Sequence, residues 1–260
     1  MLPIDAGLLR AVAPAQSGAR AQQQDTIIAD VGKALADTLD KFEVNTPLRI
    51  VHFIAQVCHE SDGFCTTEEY ASGAAYEGRA DLGNVKRGDG KLFKGRGLIQ
   101  LTGRANYTAA GRRLELDLVG NPDLAAVPAT SLLIACDFWS AKTINAPCDQ
   151  DDINRVTILV NGGLNGIDSR RAYLGTAKTA LARLQAGALP PNPDAPATVH
   201  RGMEGEDVTR LQEALREKGL LVAIDGVFGP GTETAVWQFQ ASMGLVADGI
   251  VGPATWADLA

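Results

Sequence analysis

Cysteine is scarce in this chain, with four residues among 260. Four are too few to staple a fold of this length, and their spacings match no zinc template. We therefore expect Cys58, Cys65, Cys136 and Cys148 to be small buried residues. In an oxidising compartment, Cys58 could instead pair with Cys65, or Cys136 with Cys148.

Histidine is scarcer still, with three residues, His52, His59 and His200. The stretch HESDG at 59–63 does not complete the H-E-x-x-H zinc motif, because glycine holds its fifth position. His52 and His59 are seven residues apart on one predicted helix, a spacing more typical of core positions than of metal ligands. We expect no metal and no cofactor.

Long apolar runs and basic clusters are also missing. No apolar segment approaches the roughly 20 residues that span a bilayer, which argues against membrane insertion. The N-terminus has no basic segment of the kind that opens a secretory signal, so we expect synthesis into the cytoplasm. The net charge is −7 with no Lys/Arg stripe, which argues against nucleic-acid binding.

A proline-rich segment divides the chain. Residues 186–197, AGALPPNPDAPA, hold four prolines, a composition typical of a semi-extended linker. The sequence therefore predicts a first domain over 1–185 and a second over 198–260. The second carries four Lys/Arg against nine Asp/Glu, so its net charge is −5.

Hydrophobic periodicity predicts a mainly α-helical first domain. Thr46-Pro47 reads as an N-cap followed by proline at the first helical position of a helix over 47–60. The other predicted helices cover 25–42, 98–113, 130–142, 151–161 and 168–185. Seven glycines in 71–97 predict loops or a small hairpin. The KGRG segment at 94–97 is not a dinucleotide fingerprint, because Gln100 holds the place of the third glycine.

The second domain contains an internal repeat. DGVFGPGT at 225–232 and DGIVGPAT at 248–255 share the pattern D-G-x-x-G-P-x-T. Asp-Gly and Gly-Pro are turn signals, and each threonine can cap a following helix. With helical patterns over 207–218 and 232–243, the sequence predicts a compact three-helix module.

Two glutamates stand out in the first domain. Glu60 ends the apolar helix 47–60, and Glu69 follows nine residues later in a polar stretch, beyond an Asp62-Gly63 break. Nine helical residues rotate by about half a turn, so the two carboxylates can converge only if the chain folds back. Desolvation of Glu60 would raise its pKa, whereas Glu69 would stay ionised, which is the division of roles that glycosidases use. From these residues alone, unrelated surface glutamates are an equal alternative.

The wider region resembles the family 19 glycoside hydrolases, in their phage and bacterial branch. The resemblance rests on CHESDGF, TEEYASG, GRGLIQLTGRANY and VNGG within residues 25–185. It implies a lysozyme-like α-helical fold related to plant chitinases. The loop between the two glutamates is shorter than in the plant proteins, and the plant cysteine spacings are absent.

The resemblance also implies roles for individual residues. Glu60 matches the general acid and Glu69 the general base, with Glu68 ranked second. Thr102 matches a hydroxyl that holds the attacking water, which suits an inverting mechanism. The remaining matches are substrate-cleft positions: Gln100, Asn106, Tyr107, Asn161 and Arg170, with Arg171 as the alternative to Arg170. Arg79, Arg96 and Arg104 are at least as consistent with structural ion pairs.

The second domain resembles the peptidoglycan-binding domains of cell-wall hydrolases over nearly all of 199–259. Wall recognition by an acidic module would depend on polar and stacking contacts. Trp237 and Trp256 are candidates for them, although tryptophan at helical spacing is more often core.

Together these features predict an inverting peptidoglycan glycosidase of the endolysin type, with N-acetylmuramidase activity. The expected partner is bacterial peptidoglycan, and the chain is expected to be a monomer. It would accumulate in the host cytoplasm and reach the wall through a holin-type pore. A chitinase is the main alternative; a zinc amidase or peptidase and a non-catalytic wall-binding protein are the others.

Overall fold

A computed structural model describes residues 4–185, 198–243, 245 and 247–259. The chain divides into two compact units, Met1–Asn192 and Pro193–Ala260. The predicted linker over 186–197 lies outside the described residues. Each unit is mainly helical, and the described residues form isolated bridges but no strand.

The first unit contains nine α-helices and three short 3-10 turns among its described residues. The helices are α1 Ala6–Val12, α2 Gly18–Lys41, α3 Pro47–Glu60, α4 Asp89–Leu92, α5 Arg104–Leu114, α6 Pro128–Ala141, α7 Asn145–Asp149, α8 Ile153–Asn161 and α9 Ile167–Gln185. The mainly α-helical prediction is confirmed. In the described residues, no helix has the length and hydropathy needed to cross a membrane.

Helix α3 lies at the centre of this unit. Every residue from Ile50 to Cys58 is buried, so the helix is enclosed on all sides rather than amphipathic. It begins at Pro47, and the Thr46 side chain accepts a hydrogen bond from the Arg49 amide, which confirms the predicted cap. Its main packing partner is α9. The site residues at the ends of these two helices therefore have rigid supports.

The predicted helix over 98–113 is wrong in its first turn and a half. Helix α5 begins only at Arg104, and Arg96 pairs with Leu101 in a tight antiparallel bridge. Gly97, Gln100 and Gly103 have φ values of +79°, +53° and +90°, which a right-handed helix cannot include. The apolar residues 98, 99 and 101 are buried within this turn, so their apolar character does not require a helix.

All four cysteines are free and buried, which confirms their prediction as small core residues. Burial raises the pKa of the Cys58 and Cys148 thiols to about 12. Thiols with so high a pKa are poor nucleophiles near neutral pH.

The second unit contains α10 Glu206–Glu217, α11 Pro230–Ser242 and α12 Pro253–Leu259, as predicted. The side chains of Val208, Leu211, Phe228, Val236 and Phe239 contribute to its own core.

Candidate active site

The chain turns sharply directly after α3. Asp62, Gly63 and Phe64 have consecutive φ values of +53°, +70° and +62°. Left-handed conformations cost about 1–2 kcal/mol for each non-glycine residue. Here they are held by fully buried Phe64, whose amide donates to Ser61 Oγ at 3.0 Å. Glu60 therefore ends the helix and Glu69 lies beyond a turn at the Asp62-Gly63 break.

Glu60 is held by a buried arginine. Its side chain is 18% exposed, and Oε1 accepts a 2.5 Å hydrogen bond from Nη2 of Arg170, which is fully buried. Arg170 Nη1 donates to Gln56 Oε1 one turn earlier on α3, and Gln56 Nε2 donates to Thr157 at 3.2 Å. The guanidinium thus fixes one oxygen of Glu60. Within the described residues, Oε2 has no hydrogen-bond partner and is available to a ligand.

The loop between α8 and α9 completes this group. Asn161 is exposed and accepts a 3.2 Å hydrogen bond from Asn165, whose carbonyl accepts from Arg170 Nε at 3.2 Å. His59 Nδ1 lies 3.1 Å from Ser169 Oγ. Burial, with the Arg170 charge, lowers the pKa of His59. The Glu60 group, meaning Glu60, Gln56, Arg170, Asn161 and His59, therefore carries one carboxylate beside neutral polar side chains and one guanidinium.

Glu69 is fixed by different contacts. Its Oε1 accepts from the Gly95 amide at 3.0 Å, and its Oε2 accepts from Tyr76 Oη at 2.9 Å. Its own amide donates to the Gly95 carbonyl at 2.9 Å. Burial and the hydrogen bond to this carboxylate raise the pKa of Tyr76, so its phenol remains a donor. In the described residues Glu69 has no cationic partner.

Glu68 has the opposite surroundings. Its Oε1 lies 3.0 Å from Lys94 Nζ and 3.3 Å from Arg96 Nε. Arg96 also pairs with Asp123 at 2.9 Å. A carboxylate neutralised by two cations is suited to holding a segment in place, so the geometry favours Glu69 over Glu68 as the base.

Three predicted site residues converge on Gly95. A Cβ built there would lie 2.9 Å from Gln100 Oε1, 3.3 Å from Thr102 Oγ1 and 3.4 Å from Glu69 Cβ. Thr102 donates its hydroxyl to the Gln100 carbonyl at 2.9 Å, so the remaining lone pairs of Oγ1 can only accept. Gln100 has a φ of +53° and donates to the Gly97 carbonyl at 3.0 Å. We name Glu69, Tyr76, Gly95, Gln100 and Thr102 the Glu69 group.

Two residues predicted as cleft contacts, Tyr107 and Arg170, are fully buried. Tyr107 is fully buried, donates to the Lys94 carbonyl at 2.8 Å and packs edge-on against Phe93. It therefore supports the segment from beneath and does not line a cleft, which corrects its prediction as a substrate contact. Asn106 is exposed, and its amide donates to the Thr102 carbonyl at 2.8 Å. Arg170 is likewise too buried to meet a substrate directly, and its contact is with Glu60.

Arg79 and Arg104, for which the sequence left a catalytic and a structural role open, form structural ion pairs. Arg79 pairs with Asp81, and Arg104 pairs bidentately with Asp89, a carboxylate that is 1% exposed. The Arg104 guanidinium keeps the pKa of Asp89 below its usual range.

Sequence reasoning missed Gln56, Tyr76 and Gly95. Gln56 had a usable signal, since it is, with His52, one of two polar residues within the run IVHFIAQVC, and a buried amide must find partners. Tyr76 and Gly95 had none, because loop geometry alone brings them to Glu69.

The described residues show no group of side chains suited to binding a metal ion. In the described ranges, no three His, Cys, Asp or Glu side chains are grouped as a metal ion requires. His52, the other histidine of the first unit, is fully buried and contacts Asp151 at 2.9 Å.

A helical unit that fixes two carboxylates by separate hydrogen-bond networks, beside a hydroxyl that can accept from water, has the parts of a glycoside hydrolase. Comparison with known proteins supports this class. The model of chitinase class I, the family 19 glycoside hydrolases, matches residues 37–157, and a peptidoglycan binding domain model matches residues 204–259.

Individual relatives agree. A glycosyl hydrolase family 19 domain-containing protein of Haemophilus influenzae is 30% identical over 179 residues, 55% of this chain and 85% of that protein. An acidic endochitinase of Petunia hybrida is 37% identical over 139 residues, 44% of this chain and 52% of that protein. A family 19 class IV chitinase from Zea mays superposes with a TM-score of 0.51 at 22% identity, over 73% of this chain and 94% of that one, and so shares the fold. The chain belongs to glycoside hydrolase family 19 and carries a C-terminal peptidoglycan-binding domain.

Proposed function

We propose that this glycoside hydrolase is an N-acetylmuramidase of bacterial peptidoglycan, cutting the β-1,4 bond between N-acetylmuramic acid and N-acetylglucosamine. The observation that carries the proposal is the union of the two carboxylate groups with a peptidoglycan-binding domain in one chain. A wall-bound module raises the local concentration of the catalytic unit at the polymer.

In the proposed reaction, the Glu60 and Glu69 groups flank the scissile bond. Glu60 donates its proton to the leaving oxygen through Oε2, while Arg170 holds Oε1 in position. Glu69, oriented by Tyr76 and the Gly95 amide, takes a proton from water. The water oxygen bonds to the anomeric carbon as the glycosidic bond breaks, so the configuration inverts.

The hydroxyl of Thr102 supports this direction of attack. Its hydrogen is committed to the Gln100 carbonyl, so a water between Thr102 and Glu69 would donate one hydrogen to each. A lone pair of this water would then point away from Thr102 and Glu69, toward the sugar. Gln100, Asn106 and Asn161 are suited to binding the N-acetyl and hydroxyl substituents.

A chitinase is the second candidate, and the names of relatives favour it, because the Petunia hybrida protein is an acidic endochitinase. The peptidoglycan-binding domain favours the wall substrate. A chain of the endolysin type would act from the host cytoplasm through a holin-type pore, which we propose as its context.

The test is digestion of purified peptidoglycan, borohydride reduction and mass spectrometry of the fragments, with Glu60→Gln as the inactive control. New reduced muramic acid ends are expected. Reduced glucosamine ends would contradict the muramidase assignment, and free peptide amines alone would contradict glycosidase action. Faster turnover of chitin oligomers than of wall would favour the chitinase.

A further inference from the structure

The repeat of the second unit extends beyond its two turns. A buried glutamine of the preceding helix lies inside each turn: Gln212 of α10 and Gln240 of α11. Gln212 Nε2 donates to Asp225, to the Val227 carbonyl and to Thr232 at 2.8–3.1 Å. Gln240 Nε2 makes the same three contacts at 3.0–3.2 Å, in this case to Asp248, Ile250 and Thr255. The repeated unit is therefore a helix followed by a turn wrapped around its glutamine.

The two units differ at one equivalent position on their helices. Three residues before each glutamine, a side chain covers the glycine of the Asp-Gly turn. In the first unit this residue is Thr209, whose Oγ1 lies 3.0 Å from a Cβ built on Gly226. In the second it is Trp237, whose Nε1 lies 2.6 Å from a Cβ built on Gly249. The fold thus accepts a small polar residue here, and the tryptophan is not required by the turn.

The indole of Trp237 is both exposed and fixed. It is 43% exposed, and Gly249, with a φ of +75°, leaves no room for a side chain beneath the ring edge. Ile250, the next residue, is 45% exposed and extends the apolar surface. Val227, the counterpart of Ile250 in the first turn, is 42% exposed, so the tryptophan is what distinguishes the second turn. Trp256 packs against the core of the unit.

We propose that Trp237, flanked by Ile250, is the platform on which the peptidoglycan-binding domain stacks a sugar ring of the wall glycan. This inference rests on the proposed wall-binding function. A flat, rigid aromatic face matches the apolar face of a saccharide ring, and a pre-ordered ring loses little conformational entropy on binding. The net charge of −5 over 198–260 disfavours anionic wall polymers, so an uncharged ring face is the compatible occupant.

The experiment measures binding of the full chain to insoluble purified peptidoglycan by co-sedimentation, in a Glu60→Gln background that prevents digestion. Trp237→Thr copies the residue of the first repeat, and Trp237→Phe keeps a flat ring. Leu221→Ala is the matched control, since Leu221 is 97% exposed and belongs to the same unit. Calorimetric unfolding of each variant establishes that the unit remains folded.

We expect Trp237→Thr to weaken binding about tenfold, which equals about 1.4 kcal/mol. Trp237→Phe and Leu221→Ala should bind with an affinity close to that of the parent, the Glu60→Gln chain. Equal binding by Trp237→Thr and the parent would overturn the platform and leave wall binding intact. Equal losses in Trp237→Thr and Trp237→Phe would overturn ring stacking. No sedimentation of the parent chain would overturn both the platform and the proposed wall binding.

Discussion

Arg170 and Glu60 form a largely buried ion pair in which the arginine is fully enclosed and its carboxylate partner is 18% exposed. The guanidinium also donates to Gln56, so one rigid fork joins α9 to two turns of α3. Lysine has one ammonium on a flexible stem and cannot reproduce this double contact.

Arg170→Lys should therefore lower kcat by about 100-fold through misplacement of Glu60, with little change in KM. Steady-state kinetics on a soluble oligosaccharide would measure both. Arg171→Lys is the matched control, because Arg171 is about half exposed and pairs with Asp168 at 3.6 Å. Equal losses in the two variants would contradict a positioning role for Arg170.

Glu69 and its neighbour Glu68 offer a second matched pair. Glu69→Gln should lower kcat by about 10²–10⁴-fold, since it removes a general base. Glu68→Gln should leave kcat within about threefold and cost up to about 1 kcal/mol of unfolding free energy, because its ion pairs with Lys94 and Arg96 are partly exposed. The reverse order of activities would assign the base to Glu68.

Gly95 lies among Glu69, Gln100 and Thr102, and any side chain there crowds all three. Gly95→Ala should lower kcat/KM at least about tenfold by displacing the water-binding groups, with a small change in melting temperature. Gly175→Ala, at a glycine of α9 with no atom within 4 Å of the new Cβ, should leave activity unchanged. Full activity in Gly95→Ala would contradict the convergence of the site on this glycine.

The contrast between α3 and the Gly95 region shows what a sequence can predict. Helix α3 was predicted correctly because local signals agree: Thr46 caps it, Pro47 opens it and Gly63 follows its end. The segment around Gln100 was predicted as helix because it contains several apolar residues. These residues are buried by tertiary packing of a turn, which the local sequence pattern does not indicate. Glu60 and Glu69 were found through motif resemblance, whereas Tyr76 and Gly95 reach Glu69 only through the path of an irregular loop.

His52 should make the stability of the first unit depend on pH. Its contact with Asp151 favours the protonated ring, but burial is the larger effect and Lys178 shares the same carboxylate, so the pKa of His52 is lowered. The unfolded chain, with a pKa near 6.5, binds the proton first as pH falls. The stabilisation is therefore complete above about pH 6.5 and is lost as pH falls toward the folded pKa.

Urea unfolding from pH 8 to pH 5 should show this loss, with a slope of at most about 1.4 kcal/mol per pH unit from this residue. His52→Gln, which can still contact Asp151 without titrating, should flatten the profile. His200→Gln, at an exposed position of the second unit, should leave it unchanged. An unaltered slope in His52→Gln would show that another group governs the acid limb.

The buried glutamines of the repeat should control the stability of the second unit. Gln240→Ala removes the acceptor of the Gly249 amide and the donor to Asp248, Ile250 and Thr255. Buried polar groups left without partners cost about 1–3 kcal/mol each, so the unfolding transition of this unit should fall by more than about 10 °C. Gln238→Ala, on the exposed face of the same helix, is the control.

Differential scanning calorimetry of the full chain would measure both, and hydrolysis of a soluble oligosaccharide should be unaffected because the catalytic unit has its own core. If Gln240→Ala unfolded at the temperature of Gln238→Ala, the glutamine-centred turn would not be the structural basis of the repeat.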